Sequence, residues 1–192
     1  MQPLTSPSSS SYIRNNLKAP AEGFEWQVFD PIHFAMLKPL DWHVGISQGA
    51  HGYTGSVSLE NFNESGVFST GASVIFAESV SRLAHVPPSV LIIKAGDDFV
   101  RNKNFNIIEV QKIKDYGTYK SLIIKYRSNS EVADPTIVHL AYYAFDKEDF
   151  LYIVTFESPE STWDKYWETG KIILSNIVFY HSDLSDQVHV LP

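Results

Sequence analysis

The sequence predicts an α+β protein: an antiparallel β-sheet, largely a meander, flanked by helices in an α/β/α sandwich. Three observations carry that prediction. Ile137–Phe145 and Phe150–Phe156 are dense in β-branched and aromatic residues and are joined by the short charged stretch Asp146-Lys147-Glu148-Asp149, the pattern of a hairpin. Phe105–Ile113 and Tyr119–Arg127 repeat it, turning through Lys114–Thr118. Beyond the last strand, Trp163, Tyr166, Trp167, Ile173, Leu174 and Ile177 recur at three- and four-residue steps, which is one face of a helix.

From the N-terminus, residues 1–23 read as a polar leader, with Thr5-Ser6-Pro7 and Ser8–Ser11 typical of disordered sequence. It lacks the positive start and apolar core of a signal peptide. One reading is a floppy terminus; the other is a tether left once an export or lipid-anchor segment is removed. Trp26–Phe29 suits a first strand, Asp30-Pro31 a turn, and Ile32–Leu37 a second strand ended by Pro39. Glycines at 45, 49, 52 and 55 make Gly45–Gly55 an expected irregular loop. Val57–Phe62 and Ala72–Ala77 are short strands around the turn-like Asn63-Glu64-Ser65-Gly66.

Pro87-Pro88 opens Ser89–Arg101, whose Val90–Ile93 run suits a buried strand. The helical spacing of Lys94, Asp97, Asp98 and Arg101 favours a helix with proline in its first turn. At the closing helix, Ser161 and Asp164 match a capping box. Gly170 falls on the apolar face, where a missing side chain lets the backbone approach the sheet. Residues 24–180 form one domain, followed by a tail, 181–192.

Composition narrows the function classes. At 192 residues and 44% hydrophobic, the chain is large enough for one good core. A net charge of -7 argues against nucleic acid, which needs clustered basic side chains. The nearest basic segment, Arg101–Lys103 with Lys112–Arg127, is interrupted by acids and reads as a solvated sheet face. Zero cysteines exclude disulfides and thiolate chemistry. No apolar run is long enough to span a bilayer. No cofactor is called for.

Individual motifs are few. Gly45-Ile46-Ser47-Gln48-Gly49 spells the nucleophile-elbow pattern, but Pro39 and Asp41 leave almost no strand before it and the residues after it are poor helix formers. Acid and histidine pairs downstream are Asp134 with His139 and Asp186 with His189. The same stretch is neither a Walker A sequence nor a dinucleotide fingerprint. It gathers Trp42, His43, Gly49, His51 and Tyr53, aromatic and polar residues suited to partner contact on a loop; alternatively Trp42 is core and the glycines only make turns. Asp41, His43 and His51 are weak metal-ligand candidates without a recognised spacing. Asp97-Asp98 reads as a solvated face, and Trp163, Tyr166 and Trp167 as core unless the sheet leaves them uncovered.

The opening Phe29-Asp30-Pro31, then Phe34, then Lys38-Pro39-Leu40-Asp41-Trp42 resembles the start of the PsbP/Mog1-like superfamily. The closing Tyr152-Ile153-Val154-Thr155-Phe156-Glu157-Ser158-Pro159, with the helix down to Ile177, is similar to that family's last strand and helix. The resemblance spans residues 24–180. It implies an antiparallel sheet between helices and non-enzymatic work. Its members include extrinsic subunits and assembly factors of photosynthetic membrane complexes, a Ran-GTPase-binding protein and exported bacterial proteins. It implies no shared catalytic residues.

The function expected is therefore a non-catalytic binding or accessory domain with a protein partner, with peripheral membrane association and an exported location slightly favoured over the cytoplasm. A carrier with an aromatic-lined pocket and a hydrolase using Ser47 are the alternatives.

Overall fold

A computed structural model describes residues 17–49, 52–62, 68–102, 105–128 and 134–180, and the backbone pairing of 189–190. The leader 1–16, His51, the turn at 63–66, His181 and Asp186 lie outside the described residues, as does the side chain of His189. In chain order the strands are β1 (Phe24–Phe29), β2 (Phe34–Pro39), β3 (His43–Gly49), β4 (Gly52–Ser58) and β5 (Gly71–Glu78). Helices α1 (Val80–Ala84) and α2 (Pro88–Arg101) follow, then β6 (Phe105–Val110), β7 (Lys114–Asp115), β8 (Lys120–Ser128), β9 (Thr136–Phe145) and β10 (Phe150–Pro159). The chain closes with α3 (Trp163–Leu174), β11 (Val178–Phe179) and β12 (His189–Val190).

Among the described residues the main sheet has eight strands in the order β3-β4-β5-β10-β9-β8-β6, with β7 beside β8. Every neighbouring pair in it is antiparallel. The expected meander is its β10-β9-β8-β6 half. One face carries Val57, Val74, Phe76, Tyr143, Tyr152, Val154 and Phe156, which pack on Phe29, Phe34 and Met36 and on Trp163, Ile173 and Ile177. The opposite face packs Leu122, Ile124, Leu140 and Tyr142 on Ile92, Phe99 and Val80 from α2 and α1. Alternation along β9 and β10 feeds both layers, as period-two strands buried on two sides must.

Several local readings change. Phe34 begins β2; Ile32 instead belongs to a 3₁₀ turn, Asp30–Ile32, set by proline in its first turn. Gly45–Gly55 is no irregular loop: it is most of the β3/β4 hairpin, with Val44 opposite Val57 and Ile46 opposite Gly55. Glycine hides a strand from composition because it contributes no side chain to the alternation, yet the ladder bonds use only the backbone. Gly55 is also required by packing, since a Cβ there would meet the Phe29 ring at 2.6 Å and the Phe34 ring at 2.8 Å.

The capping box at Ser161 does not form. The cap of α3 is Thr162 without a side-chain bond, and Ser161 donates its N–H at 3.1 Å and its hydroxyl to the Asp134 carboxylate. Gly170 does sit where the backbone approaches the sheet: an added Cβ would lie 2.7–2.8 Å from the Phe156 ring. A second sheet, β1-β2-β11-β12, brings β1 and β2 together with β11 and β12 from the other end of the chain.

Candidate functional site

The β3/β4 hairpin is positioned by a buried lysine. Lys38 is 5% exposed. Its ammonium donates to the carbonyls of Pro39 (2.9 Å), Leu40 (3.3 Å) and Trp42 (3.0 Å) and pairs with Glu25 at 2.8 Å. Burying an ammonium is tolerated only where such partners replace water. The reverse turn is completed by Trp42 N–H to the Pro39 carbonyl at 3.0 Å and by Leu40 N–H to the Gly23 carbonyl at 3.0 Å. Trp42 is then driven into the core, and β3 leaves the turn along the rim of the sheet.

Among the described residues β3 is an edge strand with one partner, β4. Six of its seven residues are exposed, and Gly45 is intermediate. The pairing register puts Val44, Ile46 and Gln48 on the face of Val57, Gly55 and Tyr53, and His43, Gly45, Ser47 and Gly49 on the other. Across the sheet, Ile46 therefore ends the row Val154, Val74, Gly55, while Gly45 ends the row Thr155, Ser73, Ser56. Around Val44 and Ile46 one face of this rim is apolar; around Gly45 and Ser47 the other is small and hydroxylated.

The sequence-derived candidates separate at this point. His43 and Gly49 are exposed on β3. Trp42 is buried, and Tyr53 is partly buried against the same core. Asp41 is exposed beside them, and among the described residues no three His, Cys, Asp or Glu side chains gather as metal ligands. Ser47 sits within a regular antiparallel ladder opposite Thr54 rather than on a strand-to-helix elbow. His43, on the same face of the same strand, is about 13 Å away at strand spacing. Asp134 is spent on Ser161, not on His139. Val44, Ile46 and Gln48 were not candidates in the sequence; their period-two spacing was the available signal, masked by Gly45 and Gly49.

Two further clusters flank α3 and the hydroxylated face. Trp163 and Trp167 stack at 4.9 Å. The Lys125 ammonium lies over their rings at 4.6 and 5.6 Å, and His139 packs on Trp167 at 5.3 Å. Burial first, then the Lys125 charge, push His139 down to about 4. On the opposite face, the Ser73 and Thr155 hydroxyls meet at 2.6 Å. Beside them, burial and then the Glu60 carboxylate push Glu157 up to about 6. Glu60 itself accepts the Ser69 hydroxyl and, at 3.1 Å, the Thr70 N–H, closing the connection between β4 and β5.

No protein-family model matches the chain, and no curated protein matches it. Solved structures do. Cyanobacterial PsbP (CyanoP) from Synechocystis superposes with a TM-score of 0.50 at 13% identity, over 86% of this chain and 99% of that one. LpqN, involved in cell envelope biogenesis of Mycobacterium tuberculosis, gives a TM-score of 0.51 at 10% identity, over 90% of this chain and 96% of that one. The Saccharomyces cerevisiae Ran-binding protein Mog1p gives 0.45 at 10% identity, over 80% and 94%. The chain shares the PsbP/Mog1-like α+β fold.

Proposed function

We propose that this chain is a non-catalytic accessory domain that binds a protein partner through the β3/β4 hairpin. A single observation carries the reading. The rim strand His43–Gly49 is exposed at six of its seven residues, bears no Asp, Glu, Lys, Arg or Pro, and pairs in register without a bulge. Free sheet edges in stable proteins are normally blunted by such devices. The opposite edge has them: β6 carries Glu109 and a register break between Ile107 and Glu109. An edge left unblunted on one side only is supported as a contact surface.

Ser47 in a regular ladder lends nothing to the hydrolase alternative. For the carrier alternative, the rings between the main sheet and its covering elements meet one another: Tyr152 stacks on Phe179 at 4.0 Å, and Phe156 meets Trp163 at 5.8 Å.

The test is site-specific photocrosslinking in native extract, with the reactive group at Gln48 on β3 or at Asn106 on β6. A discrete protein adduct from Gln48 alone supports the assignment. Adducts shared by both positions, or none from Gln48, would overturn it.

A further inference from the structure

We infer that β3 receives an extended segment of the partner protein as an added strand of the main sheet, and that the segment alternates apolar and small polar residues. This deepens the protein-binding reading and rests on it. The occupant is an extended polypeptide because β3, which among the described residues has β4 on one side only, offers outward backbone N–H and C=O groups in a strand ladder. Only another extended backbone satisfies such a row in full.

Its side-chain pattern follows from the rows that it would prolong. Val44 and Ile46 end two apolar rows, Phe156-Ala72-Val57 and Val154-Val74-Gly55. Residues set opposite them are therefore Val, Ile or Phe, which cover side chains otherwise 39% and 53% exposed. On the other face Gly45 and Ser47 end the rows Thr155-Ser73-Ser56 and Ile153-Ile75-Thr54. The Phe62 ring already lies 3.1–3.2 Å from where a Gly45 Cβ would stand, so the facing residues on that side are small and polar: Ser, Thr or Gly. β3 has no fixed charge, and the exposed charged residue at its start is Asp41; a Lys or Arg on the segment belongs beside it.

The experiment selects random twelve-residue peptides displayed on phage against the full chain. The winners are then measured as synthetic peptides on the parent protein, on Ile46→Lys, and on Val100→Lys as a control at an exposed position of α2. The expected result is period-two apolar peptides with a basic end. Ile46→Lys should weaken them at least ten-fold and Val100→Lys less than two-fold. Hydrogen exchange should slow at alternate amides of 43–49 on peptide addition. Val44→Glu serves as a second edge variant if Ile46→Lys does not melt like the parent.

Peptides that bind Ile46→Lys undiminished, or that protect amides elsewhere, would overturn strand addition and leave protein binding standing. No enriched peptide, together with no crosslink from Gln48, would overturn both. A dimer in sedimentation that Ile46→Lys dissociates would assign the edge to a second copy and overturn the heterologous occupant.

Discussion

Replacing Lys38 by Met tests whether the buried ammonium organises the approach to β3. Methionine keeps most of the stem volume and removes the charge. The Trp42 carbonyl then loses a donor in buried surroundings; the Pro39 carbonyl keeps the Trp42 N–H, and the Leu40 carbonyl is only partly buried. At roughly 1–2 kcal/mol for the one buried acceptor left unmade, and less for the other two, the change costs about 2 kcal/mol. Glu25 adds little, because its side chain is 54% exposed and returns to water on losing its partner.

Glu25→Gln should therefore cost less than about 1 kcal/mol. For a chain of this size the Lys38→Met loss corresponds to a fall of roughly 4–8 °C in Tm. Urea titration followed by circular dichroism measures both variants, and hydrogen exchange at 39–46 locates the loosening. Lys38→Met within 0.5 kcal/mol of the parent, or Glu25→Gln as costly as Lys38→Met, would refute the reasoning (thresholds set by ordinary surface substitutions, about 0.5 kcal/mol).

Three further outcomes are expected. Because His139 is held down to about 4 from 6.5, the unfolded chain binds its proton first, so its contribution to stability is complete above pH 6.5 and is lost as pH falls towards 4. Glu157, pushed up from 4.5 to about 6, acts in the opposite sense, giving stability at low pH that is lost as pH rises through 6; each slope is about 1.4 kcal/mol per pH unit. Denaturant titrations from pH 4 to 7 should thus show His139→Gln losing its acid sensitivity and Glu157→Gln gaining more of it; unchanged profiles would contradict the assignments. Gly170→Ala should destabilise by about 1–3 kcal/mol through overpacking on Phe156, although alanine is the better helix former by about 1 kcal/mol. A thermal melt at or above the parent's would show that Phe156 yields. Ile46→Lys, at an exposed position on the rim, should leave Tm within about 1 °C while abolishing the Gln48 crosslink; a large drop in Tm would mean that the strand is held by contacts on its own chain.

How much was legible depended on whether a feature is local. The β8, β9 and β10 strands, the Asp146–Asp149 turn and the face of α3 announce themselves through side-chain period. So does Gly170, whose place on the apolar face follows from the three- and four-residue steps around it. The rim strand did not, because Gly45, Gly49, Gly52 and Gly55 interrupt the alternation that marks β3 and β4. Lys38 reads as surface by residue type; its burial depends on three carbonyls in a turn that exists only once β2 and β3 are set in place. Ser161 looks like a cap three residues before Asp164, and instead serves Asp134, which lies 27 positions earlier.

By itself, the amino-acid sequence determined the class of fold, the central hairpins and the buried face of the last helix. Each follows from periodicity, which reports which side of an element meets water. Tertiary structure alone decided which strand lies at the rim, which lysine is buried and which ends join in the second sheet, where Phe34 and Ala35 meet Phe179 and Val178. Those are properties of neighbours distant in sequence: a strand's edge is defined by the partner it lacks, and no window of residues contains that information.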